Sequence, residues 1–103
     1  MSNRQRLPDR RASESFTLEC AGLKYTATIS RFQNGDLAEV FLTNGKAGSQ
    51  SDSNARDAAI TCSLALQYGA PLEVIRKALL RDSRGDPSTP LGSALDIIAR
   101  AGQ

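Results

Sequence analysis

The chain of 103 residues carries 13 Lys and Arg against 11 Asp and Glu, is 40% hydrophobic and 23% charged, and contains no histidine. That length allows one domain with one modest core and leaves no room for a separate cofactor domain. No apolar run is long enough to span a bilayer and no signal-peptide pattern opens the chain, so a soluble, cytoplasmic protein is expected.

The first eleven residues, MSNRQRLPDRR, hold Arg4, Arg6, Arg10 and Arg11 against Asp9. Removing these four Arg and one Asp from the totals leaves nine basic and ten acidic residues over 12–103, so the excess positive charge lies in the arm. Pro8 makes this stretch a poor helix, and a basic flexible arm over residues 1–13 is expected ahead of a single domain over 14–103. Such an arm suits phosphates or an acidic protein surface, and equally a solvated terminus that keeps the domain soluble.

Period-two alternation follows. Phe16, Leu18 and Cys20 share one face of a first strand, and Leu23, Tyr25, Ala27 and Ile29 share one face of a second. In a third, Ala38, Val40 and Leu42 alternate with Leu37, Glu39 and Phe41. Ala21-Gly22 is short enough for a tight hairpin, and Asn34-Gly35 is a strong turn signal, which together predict an antiparallel meander.

The period changes after GKAGSQSDS. From Asn54 onward Ala55, Ala58, Ala59, Cys62, Ala65, Leu66 and Gly69 recur at spacings of three and four, with Ile60 and Leu64 widening the stripe. Small residues of this kind let a helix approach the sheet, or a copy of itself, closely. Asp52 or Ser53 is the expected N-cap, Gly69 the stop, and Pro71 the first residue of a second helix that buries Leu72, Ile75, Leu79 and Leu80. A loop, DSRGDPST, precedes a third helix that opens at Thr89-Pro90, carries Leu91, Ala94, Leu95 and Ile98, and ends at Gly102. The fold class is therefore α+β: a three-stranded antiparallel sheet packed against two or three helices as a two-layer sandwich. Its exposed sheet face and Ala-rich helix leave room for a homodimer.

Catalytic chemistry is scarce. Without histidine there is no Ser-His or Cys-His nucleophile pair, and Cys20 and Cys62 lack the spacing of a zinc site or a disulfide framework. No metal, no cofactor and no enzymatic activity are expected. Asp52 and Asp57 fit favourable interaction with a helix dipole better than acid-base work. The Gly45-Lys46 loop does not match the P-loop pattern. It retains the makings of a weaker anion site, from Lys46, backbone N–H groups around Gly48, and the hydroxyls of Ser49, Ser51 and Ser53. An ordinary helix-capping loop has the same composition.

Several stretches in sequence order resemble a known family. They are Arg6-Leu7-Pro8 with Arg10-Arg11, Gly35 to Leu42, Lys46 with Gly48, Leu64 to Gly69, and Pro71-Leu72-Glu73. Together they resemble the TSCPD domain found near the C-terminus of adenosylcobalamin-dependent ribonucleotide reductases, in which a histidine commonly stands at the position of Gly45. The resemblance implies a stand-alone homologue of that accessory domain, since the reductases carry their radical and redox cysteines in other regions. It implies a non-catalytic binding or assembly module with a reductase or related protein as partner. The arm residues Arg4, Arg6, Leu7, Arg10 and Arg11 are then partner-binding candidates, and the Lys46 loop a nucleotide or other anion site. The alternative is a small nucleic-acid-binding protein that uses the basic arm, although five aromatics offer little stacking surface.

Overall fold

The computed structural model describes residues 3–101. Three strands, β1 (Glu14–Cys20), β2 (Leu23–Arg31) and β3 (Leu37–Thr43), precede three helices, α1 (Gln50–Gln67), α2 (Leu72–Ala78) and α3 (Pro90–Ala101). The strands form one open antiparallel sheet in the order β1-β2-β3, with α1 packed chiefly on β3 and α3 on β1. This is the expected α+β arrangement.

Turn chemistry fixes the meander. Ala21 and Gly22, at φ 51° and 79°, are the two left-handed residues that a two-residue type I′ hairpin needs, and Cys20 pairs with Leu23 across them. In the second turn only Gly35 has positive φ, at 94°, while the Asn34 side chain accepts from the backbone N–H of Asp36 at 2.9 Å.

The alternation expected for β3 breaks at its start. Ser30 pairs with Glu39 but Arg31 pairs with Leu37, so Ala38 is an extra residue in β3. Such a bulge flips the side-chain alternation, and Leu37 is buried together with Ala38 instead of facing solvent. On β1, Leu18 is buried while Phe16 and Cys20 are half-buried, because β1 is an edge strand with the core on one side only.

One core joins the layers. Tyr25, Ala27, Ile29, Val40 and Leu42 of the sheet meet Ala55, Ala59, Cys62 and Leu66 of α1 and Leu91, Ala94, Leu95 and Ile98 of α3. Small side chains on α1 allow the close approach that their spacing predicts. Burial pushes the Cys62 thiol up to about 11, so almost no reactive thiolate exists near neutrality. Cys62→Ser is expected to cost about 1–3 kcal/mol through a buried hydroxyl. Cys62→Leu is expected to cost a similar amount, about 1–3 kcal/mol, by overpacking. Urea unfolding measures both, and rapid labelling of native Cys62 by a thiol reagent would contradict the burial.

Helix boundaries differ from expectation in three places. Ser49, not Asp52 or Ser53, is the N-cap of α1, its Oγ accepting from the backbone N–H of Asp52 at 3.2 Å. The Asp52 carboxylate is turned away to other partners and cannot cap. Pro71 is the N-cap of α2 and not its first helical residue. That helix ends at Ala78, since Leu79 is extended (ψ 154°), and Leu80 is 73% exposed instead of buried. At the far end of α1 the expectation holds: Gly69, at φ 104°, donates to Leu66 O, and Ala70 donates to Ala65 O, which together make a Schellman stop. Thr89 Oγ1 accepts from the N–H of Gly92 at 3.2 Å and so opens α3. Gly102, the expected end of α3, lies outside the described residues.

Helix α1 also lies along the free edge of β3 and bonds part of its backbone. Ser63 Oγ accepts from Val40 N–H and donates to Val40 O, both at 2.9 Å, and Gln67 Nε2 donates to Ala38 O at 3.1 Å. Both side chains are buried.

Candidate functional site

Thr43 to Ser53, where β3 leads into α1, contains the anion-site candidates. Asp52 is 2% exposed, and its carboxylate accepts from Thr43 Oγ1 (2.9 Å), Asn44 N–H (2.8 Å) and Arg56 Nε (2.7 Å). The Arg56 guanidinium, helped by the Asn44 N–H, holds this carboxyl below the usual range. Arg56 also stands 5.2 Å from the centroid of the Phe41 ring.

The loop spends much of its hydroxyl chemistry on itself. Ser51 Oγ accepts from Asn44 Nδ2 at 2.8 Å and lies 3.3 Å from Ser49 Oγ, which is already the cap. Lys46 donates its backbone N–H to Asn44 Oδ1 at 2.9 Å. Its exposed side chain makes no hydrogen bond or ion pair among the described residues. Gly48 and Ser53 are exposed as well, Gly48 at φ 84°. Lys46, Gly48 and Ser53 are thus the candidates that face solvent, while Ser49 and Ser51 are internal ties.

The arm carries no helix or strand from residue 3 to residue 13, and two of its arginines bond to the domain. Arg4 Nε donates to Gln67 Oε1 and Gln5 N–H donates to Gln67 O, both at 2.7 Å. Arg11 makes a two-pronged pair with Glu39 on β3, with Nε and Nη2 at 3.0–3.1 Å from its oxygens, and its Nη1 donates to Pro8 O at 2.8 Å. The segment thus straps the β3 side of the domain, from the C-terminal end of α1 to the solvent side chain of Glu39. Leu7 is half-buried, while Arg6 and Arg10 are exposed without partners among the described residues.

A cleft of about 550 Å³ opens at that end of the molecule. Its walls are Gln5 of the arm, the β2–β3 turn at Asn34–Asp36, and the α1–α2 turn from Gly69 to Glu73, with Leu37, Leu66 and Ile98 of the core at its base. Sequence reasoning found both turns but not their convergence, which only the tertiary fold creates. Beyond the Glu73 wall of the cleft, Asp96 of α3 receives Arg81 Nη2 (2.7 Å) and Arg76 Nη1 (3.1 Å), and these guanidinia, Arg81 foremost, bring its carboxyl down to about 2. Arg76 also pairs with Glu73, so this cluster ties α2 and the loop after it to α3.

Neither cysteine is in a disulfide, and among the described residues no group of three or more His, Cys, Asp or Glu is arranged to hold a metal ion. No helix among them is long and apolar enough to cross a membrane.

An open three-stranded antiparallel sheet with three helices, an N-terminal strap bonded to Gln67 and Glu39, and a polar-walled cleft beside it make up a small α+β arrangement. The chain belongs to the TSCPD domain family, whose profile matches residues 4–101 and so takes in most of the strap as well as the sheet and helices. It is similar to the vitamin B12-dependent ribonucleotide reductase of Rhodopirellula baltica, at 36% identity over 72 residues, which is 70% of this chain and 7% of that protein. The enzymes of the same name from Bradyrhizobium diazoefficiens and Agrobacterium fabrum are each 34% identical, over 71% and 68% of this chain and 6% of their own length. The chain therefore corresponds to a small part of these relatives. No solved structure matches it.

Proposed function

We propose that this chain is a binding module without catalytic chemistry of its own, which docks on a protein of the B12-dependent ribonucleotide reductase class through its strap and the cleft beside it. The observation that carries this reading is the convergence of family-like stretches on one surface. Gln5 next to Arg6-Leu7-Pro8, the Gly35 turn, and the Gly69–Glu73 turn all border the same cleft. Its apolar base within polar walls suits a protein segment.

Nucleic acid is the competing partner. Arg4 and Arg11 are engaged with Gln67 and Glu39, so the arm offers Arg6 and Arg10, and binding through it would release about two counterions instead of four. Titration of the purified Bradyrhizobium diazoefficiens reductase with this chain tests the proposal, with Leu7→Ala, Arg10→Ala and Asp36→Lys measured beside the parent. Leu7→Ala and Asp36→Lys are each expected to weaken binding at least as much as Arg10→Ala, with shallow salt dependence. No binding to the reductase, or loss with Arg10→Ala alone together with steep salt-dependent binding to DNA or RNA, would reject it.

A further inference from the structure

The two edges of the sheet are treated differently, and the difference points to a partner. Val40 gives both its N–H and its C=O to Ser63, so the Ile29–Val40 pair is not hydrogen-bonded across β2 and β3. Ile29 must then direct its backbone groups to Glu14 of β1. Alternation along β1 turns Phe16, Leu18 and Cys20 toward β2 in the same way, and leaves the N–H and C=O of Ser15, Thr17 and Glu19 pointing outward. Among the described residues none of these outward groups has a protein partner.

Edges in monomeric proteins are ordinarily guarded by proline, lysine, a bulge or a covering element. None of these devices protects β1. Its sequence, ESFTLEC, contains neither proline nor lysine, and its register with β2 is unbroken over all seven residues. Helix α3 does not close over it either. A groove of about 460 Å³ lies between the strand, that helix and the connection from α2, with Leu18, Glu19, Asp86, Pro87, Asp96 and Ile97 among its walls.

We propose that the outer edge of β1 pairs with the same edge of a second copy, antiparallel and centred on Thr17. In this register Thr17 faces Thr17 of the second copy, and Ser15 faces Glu19, each pair exchanging two backbone hydrogen bonds. Phe16 comes opposite Leu18 of the second copy in the close, non-hydrogen-bonded position, on the core side of both sheets. Phe16 is only half-buried in one chain and is covered by this contact. Charge selects the register: β1 carries only Glu14 and Glu19, which here meet Cys20 and Ser15. Centring on Glu19 instead would oppose two carboxylates, and centring on Ser15 would pair fewer outward groups and set Glu14 against Phe16. The six-stranded sheet that results keeps the strap on the far, β3 side of each copy, clear of the contact.

Sedimentation equilibrium over a concentration series, with hydrogen exchange read at the same concentrations, tests the proposal. A mass of two chains is expected, with the amides of Ser15, Thr17 and Glu19 becoming protected as the dimer forms, while those of Phe16 and Leu18 are protected throughout. Thr17→Pro removes one outward N–H and nothing from the β1–β2 ladder, and is expected to abolish the dimer. Thr17→Lys sets two like charges opposite one another and is expected to do the same, which provides a second variant if the proline disturbs folding. A monomer at every concentration would overturn the proposal. So would a dimer that withstands either variant in its folded form, or one in which Ser15, Thr17 and Glu19 exchange freely.

Discussion

Ser63→Ala is expected to destabilise the protein by about 3 kcal/mol, since it strips a buried backbone N–H and C=O of their partner at about 1–3 kcal/mol per unsatisfied group. The hydroxyl both accepts from and donates to Val40, and neither backbone group has another partner among the described residues. Alanine fits the space, because its neighbours on the stripe are already Ala59 and Leu66, so the loss isolates hydrogen bonding from packing. Urea unfolding with an unchanged m-value would measure it. A loss under about 1 kcal/mol would mean that water replaces the hydroxyl at the edge of β3.

Asp52→Ala is expected to do at least as much damage, and to change the response to acid. Thr43 Oγ1, Asn44 N–H and Arg56 Nε all converge on this carboxylate, so its removal loosens the junction of β3 and α1 at three points. Its folded-state pKa lies below the ordinary 3.8 because Arg56 pairs with it. The stabilisation is therefore complete above that value and fades as pH falls through the folded one. Asp96 behaves likewise between its ordinary 3.8 and about 2, under the pull of Arg81 and Arg76. Unfolding midpoints at neutral pH and below 3.8 should thus converge in Asp52→Ala relative to the parent, with a residual slope from Asp96. Asp52→Asn should recover part of the loss at neutral pH, because an amide oxygen still accepts. Parallel pH profiles for parent and Asp52→Ala would contradict this account.

Local patterns were legible where one physical cause dominated. Alternation placed Tyr25, Ala27 and Ile29 on the core face, and the Ala-Gly and Asn-Gly pairs marked both hairpins. Leu37 was misplaced because a bulge leaves no mark in a run that reads as regular alternation. The end of α2 was overrun because Leu79 and Leu80 continue an apolar pattern, whereas the chain there turns toward the Arg81–Pro87 bridge, with Arg81 anchored on Asp96. Among the candidate site residues, Ser49 and Ser51 read as hydroxyls open to an anion, but Ser49 caps the N–H of Asp52 and Ser51 is held by Asn44, a residue no helix pattern draws attention to. Asp52 reads from sequence as a cap or a dipole partner and not as a buried junction, and buried Ser63 and Gln67 escape notice because a stripe search counts apolar residues. Polar groups at the same three- and four-residue spacing were the signal that could have found them.

The seal that Ser63 and Gln67 place on β3 limits how large any assembly built by strand addition can become. A sheet with two open edges can recruit at both, and repeated recruitment gives a fibre with no natural end. With one edge capped from within its own chain, this sheet has room for at most one neighbour, and the two-fold pairing proposed above would exhaust its capacity. Whatever joins at β1, growth stops there, and the capped side that carries the strap and the cleft remains outermost and accessible.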